Sequence, residues 1–292
     1  MISIIENYLL KYLMFLFLTM FVLHFSLSAQ QIGTQKMDIE IKNEIGMEFV
    51  LIEPGSMLVG RYEIECPAPP DSRDVDERVR WTAADFELCE ELAARDSRPG
   101  FWVTIQESYY IGKHTVTQGQ WKRVMGSNPS FFQGDRVEGD SDLHPVDNVT
   151  WADTQKFIRR LNELDDKASY RLPTEFEWEY AARAGAEEVL PWRDIGDYAW
   201  IQDTNKGTTH PVGLKKPNAW GLYDMLGNVW EWVEDYYNEK MFADPIPPKS
   251  GTVHVLKGGS FISDVTHATY FVHGAGPGNQ YDVGFRIVRE AH

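Results

Sequence analysis

Gly221-Leu222-Tyr223-Asp224-Met225-Leu226-Gly227-Asn228-Val229-Trp230-Glu231-Trp232 is the stretch on which the reading of the chain turns. It lies in a region, from Glu187 to the end, that is rich in Gly, Pro, Asn and aromatics. Only short runs there look like strands, such as His254-Val255-Leu256-Lys257 and Gly284-Phe285-Arg286-Ile287-Val288. Such a region is expected to be mostly loop, held by its packing. Large aromatics in a loop-rich domain are usually core fillers. That is the expectation for Trp178, Trp220, Trp230 and Trp232, with stacking platforms for a ligand as the alternative. Asp224 and Glu231 can flank a turn whose carbonyls at Gly227 and Val229 point inward, giving the oxygen-only shell that calcium prefers. The competing expectation is that the two carboxylates cap a turn and pair with Arg or Lys.

Toward the amino terminus the pattern becomes more regular. Arg171-Leu172-Pro173-Thr174 precedes three acids, and Thr174 with Glu177 forms a capping box that predicts a short helix carrying Trp178, Tyr180, Ala181 and Ala182. Thr150 caps a second helix from Ala152 to Leu164, whose Ala152, Phe157, Ile158 and Leu161 share one face. A third runs from Thr117 to Met125, after a strand pattern from Phe101 to Ile111. Met47 to Gly60 alternates around Pro54-Gly55 and predicts a β-hairpin. Residues 61–100 change character, with a Pro-rich start, a dense charge mixture and then helical spacing from Trp81 to Ala94. They read as a surface insertion.

Lys11 and the apolar run Tyr12 to Phe25, closed by Ser26-Leu27-Ser28-Ala29, read as a signal peptide over residues 1–29. A membrane anchor is the alternative, but the run holds about 14 residues where roughly 20 are needed to span hydrocarbon. Cleavage leaves no membrane span and a secreted or periplasmic protein of about 260 residues, enough for one large domain. The net charge of −16 repels phosphate backbones and anionic lipid, so nucleic acid is not an expected partner. Cys66 and Cys89 form a disulfide or remain free thiols, the former being favoured in an oxidising compartment.

Seven segments, in order, resemble the sulfatase-modifying-factor family, the formylglycine-generating enzymes. They are Met47-Glu48-Phe49-Val50 with Pro54-Gly55, Lys113-His114-Thr115-Val116-Thr117, His144-Pro145-Val146, Arg171 through Glu179, Gly221 through Trp232, Gly258-Gly259-Ser260-Phe261, and Gly284-Phe285-Arg286. The resemblance implies an irregular, loop-rich α+β domain over 45–290, related to C-type lectins. It also implies calcium at Asp224, Gly227, Val229 and Glu231. A second calcium loop of the family would fall at Trp200-Ile201, where Trp200 replaces an oxygen ligand, and no second site is expected.

The family's enzymes place two copper-binding cysteines after the Gly-Gly-Ser-aromatic stretch, at positions that here hold Ser263 and Ala268. Thiolates suit copper(I) because both are soft. A hydroxyl and a methyl do not replace them, so neither copper nor formylglycine generation is expected. Two functions remain. In one, the stretch Phe261 to Val283 is a surface loop that binds a protein or small molecule through Ser260, Phe261, His267, Tyr270, His273, Asn279 and Tyr281. Relatives of this fold that vary for binding carry their diversity here. In the other, the chain is an oxidase or maturation enzyme, non-heme-metal or cofactor-independent, as the resemblance to cysteine-free members suggests. His267 and His273 with Asp264 or Asp282 would then form a metal or acid/base cluster.

Overall fold

The computed structural model describes residues 37–60, 66, 82–97, 100–186, 190, 194–205, 207–238, 240–241, 246–276 and 280–291. The segment 1–29 read as a signal peptide and the charged run 71–80 lie outside these residues. Short strands β1 (Glu40–Lys42) and β2 (Glu48–Ile52) are followed by β3 (Gly55–Val59), helix α1 (Ala83–Ser97), β4 (Phe101–Ile105) and β5 (Tyr109–Gly112). Then come α2 (Gln118–Met125), α3 (Trp151–Leu164), β6 (Tyr170–Arg171), α4 (Glu175–Arg183) and α5 (Ile195–Tyr198). The remainder carries β7 (Trp230–Tyr236), β8 (His254–Lys257), β9 (His273–Ala275), β10 (Val283–Phe285) and β11 (Val288–Glu290). Between α5 and β7 the chain is turns and bends, as its composition implies.

The helices begin where local chemistry says they should. Thr117, Thr150 and Thr174 each accept from the amide three residues on, and Gln120, Asp153 and Glu177 return the bond to the cap amide. Each box satisfies two of the amide donors that a helix start leaves unpaired. In α3 the buried face is Thr154, Phe157, Ile158 and Leu161, while Ala152 faces solvent. The apolar stripe is therefore set by the bulky residues, and the small Ala152 falls just off it. Arg171 braces the start of α4 by donating to Glu177 at 2.6 Å and to Glu290 at 2.5 Å.

Strand pairing departs from the sequence expectation. β2 and β3 do not form a hairpin: β2 lies between β1 and β5 in a five-stranded sheet of order β1-β2-β5-β11-β6, while β3 pairs with β4 in a separate ribbon. Both edges of β2 are used, so Pro54-Gly55 turns the chain out of one sheet and into another. Gly55 is required there by contact, since a Cβ would meet the Tyr180 hydroxyl at 2.1 Å. The run Phe101 to Ile111 divides between β4 and β5, and Gly284 to Val288 divides between β10 and β11. β10 joins a second sheet of order β10-β7-β8-β9, in which it runs parallel to β7. Arg286 and Ile287 thus carry the chain from one sheet to the other.

The insertion at 61–100 leaves β3 at Val59 and returns at Phe101, residues that face each other in the ladder. Its helix α1 packs Cys89 into the main core, and a disulfide joins Cys89 to Cys66. Two large apolar clusters fill the molecule, one around Trp178 and Ala181, the other around Trp232, Phe157 and Phe285. Trp178 and Trp232 are core residues, and Trp220 and Trp230 are half-buried against the same clusters.

Arg286 lies between these layers and is fully buried. Its guanidinium donates to both oxygens of Glu231 at 2.7 Å, to Gly112 O and Tyr223 O at 3.0 Å, and to Asp224 O at 3.3 Å. Trp178 Nε1 adds a bond to Glu231 at 2.7 Å. Removing one member leaves a buried charge uncompensated. Arg286→Met is expected to lower unfolding free energy by about 3–5 kcal/mol, read from urea denaturation.

Candidate ligand-binding site

Gly258 and Gly259 shape the site by drawing the following segment inward. Both have φ in the left-handed region, at 90° and 74°. A Cβ on Gly259 would meet Ala268 Cα at 3.0 Å, so the chain can pass this close only without a side chain. The segment from Phe261 onward is consequently not the surface loop expected. Phe261, Val265, Ala268, Phe271 and Val272 are all buried, and β9 lies within the stretch.

Ser260 sits at the centre of a buried hydroxyl network. Its Oγ donates to Asp282 at 2.9 Å, its amide donates to Ser263 Oγ at 2.9 Å, and the two serine hydroxyls are 3.3 Å apart. Burial pushes the Asp282 carboxyl up, against the pull of the Ser260 bond. Asp147 lies near enough to feel Asp282. Burial chiefly, with that neighbouring charge, raises Asp147 from 3.8 to about 7, although the Phe131 and Phe132 amides donate to it at 2.6 and 3.3 Å.

Those two amides belong to an aromatic group that the sequence reading missed. Asn128-Pro129-Ser130 forms a side-chain-closed turn, with Ser130 N donating to Asn128 Oδ1 at 3.1 Å, and Asn148 anchors it by donating to Pro129 O at 2.9 Å. The turn delivers Phe131 and Phe132 to Phe261 and Tyr281. Ring centroids lie 5.8 Å apart for Phe131–Tyr281, 5.1 Å for Phe132–Phe261 and 6.0 Å for Phe132–Tyr281. Phe131 and Tyr281 keep 43% and 47% of their surface exposed, as does Ile262 at 43%. Beside them opens a cavity of about 780 Å³, lined by Phe131, Phe132, Arg136, His144, His210 and Leu214 among others. The signal was present as a Pro-Ser turn followed by paired aromatics, but nothing local tied it to Phe261, some 130 residues away in the chain.

The other sequence candidates separate. His267 Nδ1 is 3.0 Å from Asp264, and Thr266 joins the pair. Burial pushes the Asp264 carboxyl up, but hydrogen bonds from His267 and Thr266 outweigh it and hold it below the usual range. Asp282 belongs to the serine network instead. His273 contributes its backbone to β9 opposite Lys257, and Asn279 lies outside the described residues. Tyr270 is half-buried against the main core, its phenol pushed up to about 12 by burial. Of the seven ligand candidates, Ser260, Phe261 and Tyr281 come together.

At the turn quoted at the outset, Asp224, Gly227 and Asn228 all take left-handed backbone angles. Asp224 is buried, accepts from Gly213 N at 2.7 Å through Oδ2, and leaves Oδ1 with no hydrogen-bond partner. Burial raises its carboxyl to about 6. That orphaned oxygen fits a hard cation. Glu231 fits less well, because Arg286 and Trp178 take both of its oxygens. A second cavity of about 840 Å³ lies between β2 and α2; of its rim charges, Lys42 pairs with Glu48, Lys122 pairs with Asp142, and Arg123 donates to Ile45 O.

Irregular mixed layers, a capped Arg-Leu-Pro-Thr helix and a Gly-Gly-Ser segment drawn inward beneath the aromatics define a class of domain. The chain belongs to the sulfatase-modifying factor enzyme 1-like family, whose model matches residues 40–291. It is 31% identical over 267 residues to the chaperone protein LppX of Paenibacillus barcinonensis, covering 70% of this chain and 89% of that one. To the formylglycine-generating enzyme of Streptomyces coelicolor it is 35% identical over 202 residues, covering 59% of this chain and 61% of the enzyme. In three dimensions it is similar to Treponema denticola variable protein 1, with a TM-score of 0.67, 23% identity, and 87% and 100% of the two chains covered. That likeness shows a shared fold.

The raised carboxyl of Asp147 gives a pH dependence with a defined sign. Its folded value exceeds the unfolded one, so the folded protein holds a proton that the unfolded chain releases. Stability from this group is complete below about 4 and is lost as pH rises through about 7. Asp224 and Asp235, both raised to about 6, titrate alike in wild type and variant. Between about pH 5 and 7, Asp147→Asn is therefore expected to gain on wild type by up to about 1.4 kcal/mol per pH unit in urea unfolding, the gap levelling off above about 7. A constant gap would mean that Asp147 titrates as an ordinary carboxylate.

Proposed function

We propose that this protein is an exported binding module of the sulfatase-modifying-factor family that does not generate formylglycine. The observation that carries the reading is the filling of the two cysteine positions. Ser263 Oγ is tied into a buried network with Ser260 and Asp282, and Ala268 is fully buried. A buried hydroxyl and a methyl stand where two soft thiolates would have to bind copper(I). Beside the cavity, the exposed ring of Phe131 and the neighbouring Tyr281 offer rigid apolar contact area. A protein ligand is the favoured class, and the resemblance to a chaperone, LppX, supports it. Export agrees with the Cys66–Cys89 disulfide. Among the described residues no helix is long and apolar enough to cross a membrane.

A second reading, as a maturation enzyme, is favoured by the Asp264–His267 pair. The carboxylate fixes one ring nitrogen and would leave the other to exchange a proton with a substrate. Among the described residues no group of three His, Cys, Asp or Glu side chains gathers to hold a metal.

The central test is mass spectrometry of a sulfatase-type cysteine peptide incubated with the purified protein, copper(I) and oxygen. No conversion is expected while a cysteine-containing relative converts it in parallel; conversion overturns the proposal. For the binding face, Tyr281→Ala is expected to weaken peptides selected from a displayed library by about tenfold or more, with the melting temperature nearly unchanged.

Calcium is proposed as a structural ion held by Asp224 with the carbonyls of Gly227 and Val229. Glu231 lends charge there while it remains on Arg286. The ion would brace the turn and supply no chemistry. Calcium is expected to raise the melting temperature over that in chelator, an effect lost in Asp224→Ala. The affinity should fall as pH drops through about 6, where Asp224 takes up a proton. Equal melting in calcium and chelator would remove the ion from the account.

A further inference from the structure

We propose that the pocket beneath Tyr180 and Trp220 binds a quaternary ammonium group. This pocket, of about 450 Å³, shares no lining residue with the cavity at Phe131. Its walls include Tyr180, Trp220, Pro54 and the carboxylate-bearing Glu53, with the apolar edge of β2 behind them. The two rings meet at 66° with centroids 5.1 Å apart, forming a corner of aromatic surface. Such a corner attracts a soft organic cation through the negative faces of its rings. Glu53 adds a full negative charge close enough to be felt by the Tyr180 phenol.

The corner is pre-built. Tyr180 projects from α4, and its hydroxyl rests where only Gly55 leaves room. Trp220 is fixed by Asn218, whose Oδ1 accepts from Trp220 N at 3.0 Å and from Leu222 N at 3.0 Å. The same Asn218 donates from Nδ2 to Ala181 O at 2.8 Å and Ala182 O at 3.1 Å, on the helix that carries Tyr180. One side chain therefore ties the backbone that carries Trp220 to the helix that carries Tyr180, so the two rings start from fixed positions and less ordering cost remains for a ligand. The chain's charge of −16 also draws cations to its surface.

Glu53 is the one charged side chain in the lining, which favours a cation over an anion. A bulky alkylammonium needs only shape, ring faces and one carboxylate. Calorimetric or saturation-transfer NMR titration with choline tests this, against 3,3-dimethylbutan-1-ol as its neutral isostere. Choline is expected to bind in the millimolar range, with the isostere roughly five- to tenfold weaker. Glu53→Gln and Trp220→Leu should each weaken choline, the first at an exposed position where folding is not at stake. Equal binding of the isostere, choline binding unchanged by both variants, or no saturable binding of choline would each overturn the proposal.

Discussion

A buried guanidinium is expensive to strip of water, and this fold accepts that cost most completely at Arg286, which is fully buried. The pair with Glu231 repays it only because the remaining donors also find oxygen, on Gly112, Tyr223 and Asp224. Those acceptors come from the end of β5, the turn before β7 and β7 itself. The loop-rich half of the chain has little ladder of its own to hold it, and this fork ties the end of β5 in one of the larger sheets to β7 in the other. The turn at Asp224 to Asn228, with its left-handed residues, is pinned to the same point.

The pair of serines beneath the aromatic rings has a corresponding logic. A thiolate site must stay reachable and reactive, whereas Ser260, Ser263 and Asp282 satisfy one another in the interior. Asp147 and Asp282 place two reluctant carboxyls close together, and both are pushed toward the protonated form. Stability there is set by how well protons and hydroxyls share a small dry space.

The elements that could be read from sequence are those whose causes are local. Thr117, Thr150 and Thr174 cap their helices with partners three residues away, and Arg171 reaches Glu177 six residues on. Strand partners were another matter. Alternation around Pro54-Gly55 fits a hairpin as well as it fits two strands in different sheets, because period alone does not say which edge is taken. The family resemblance located Ser260, Ser263 and Ala268, but not that Gly259 would pull them inside. Phe131 and Phe132 joined Phe261 and Tyr281 through contacts between remote segments, which no local pattern encodes.

The register of β3 with β4 bears on how this family can vary. Val59 and Phe101 stand directly across from each other, so the chain leaves and re-enters the ribbon across a single strand spacing. A short turn would close the ladder equally well, and the segment is in that sense a cassette. Its disulfide is internal, joining Cys66 to Cys89 and touching no other part of the covalent framework. Yet Phe86 and Cys89 lie against the main core, so an exchanged cassette must bring its own apolar patch to replace that cover. Geometrically, the ladder itself sets no length for this segment; what it must keep is the apolar patch at Phe86 and Cys89.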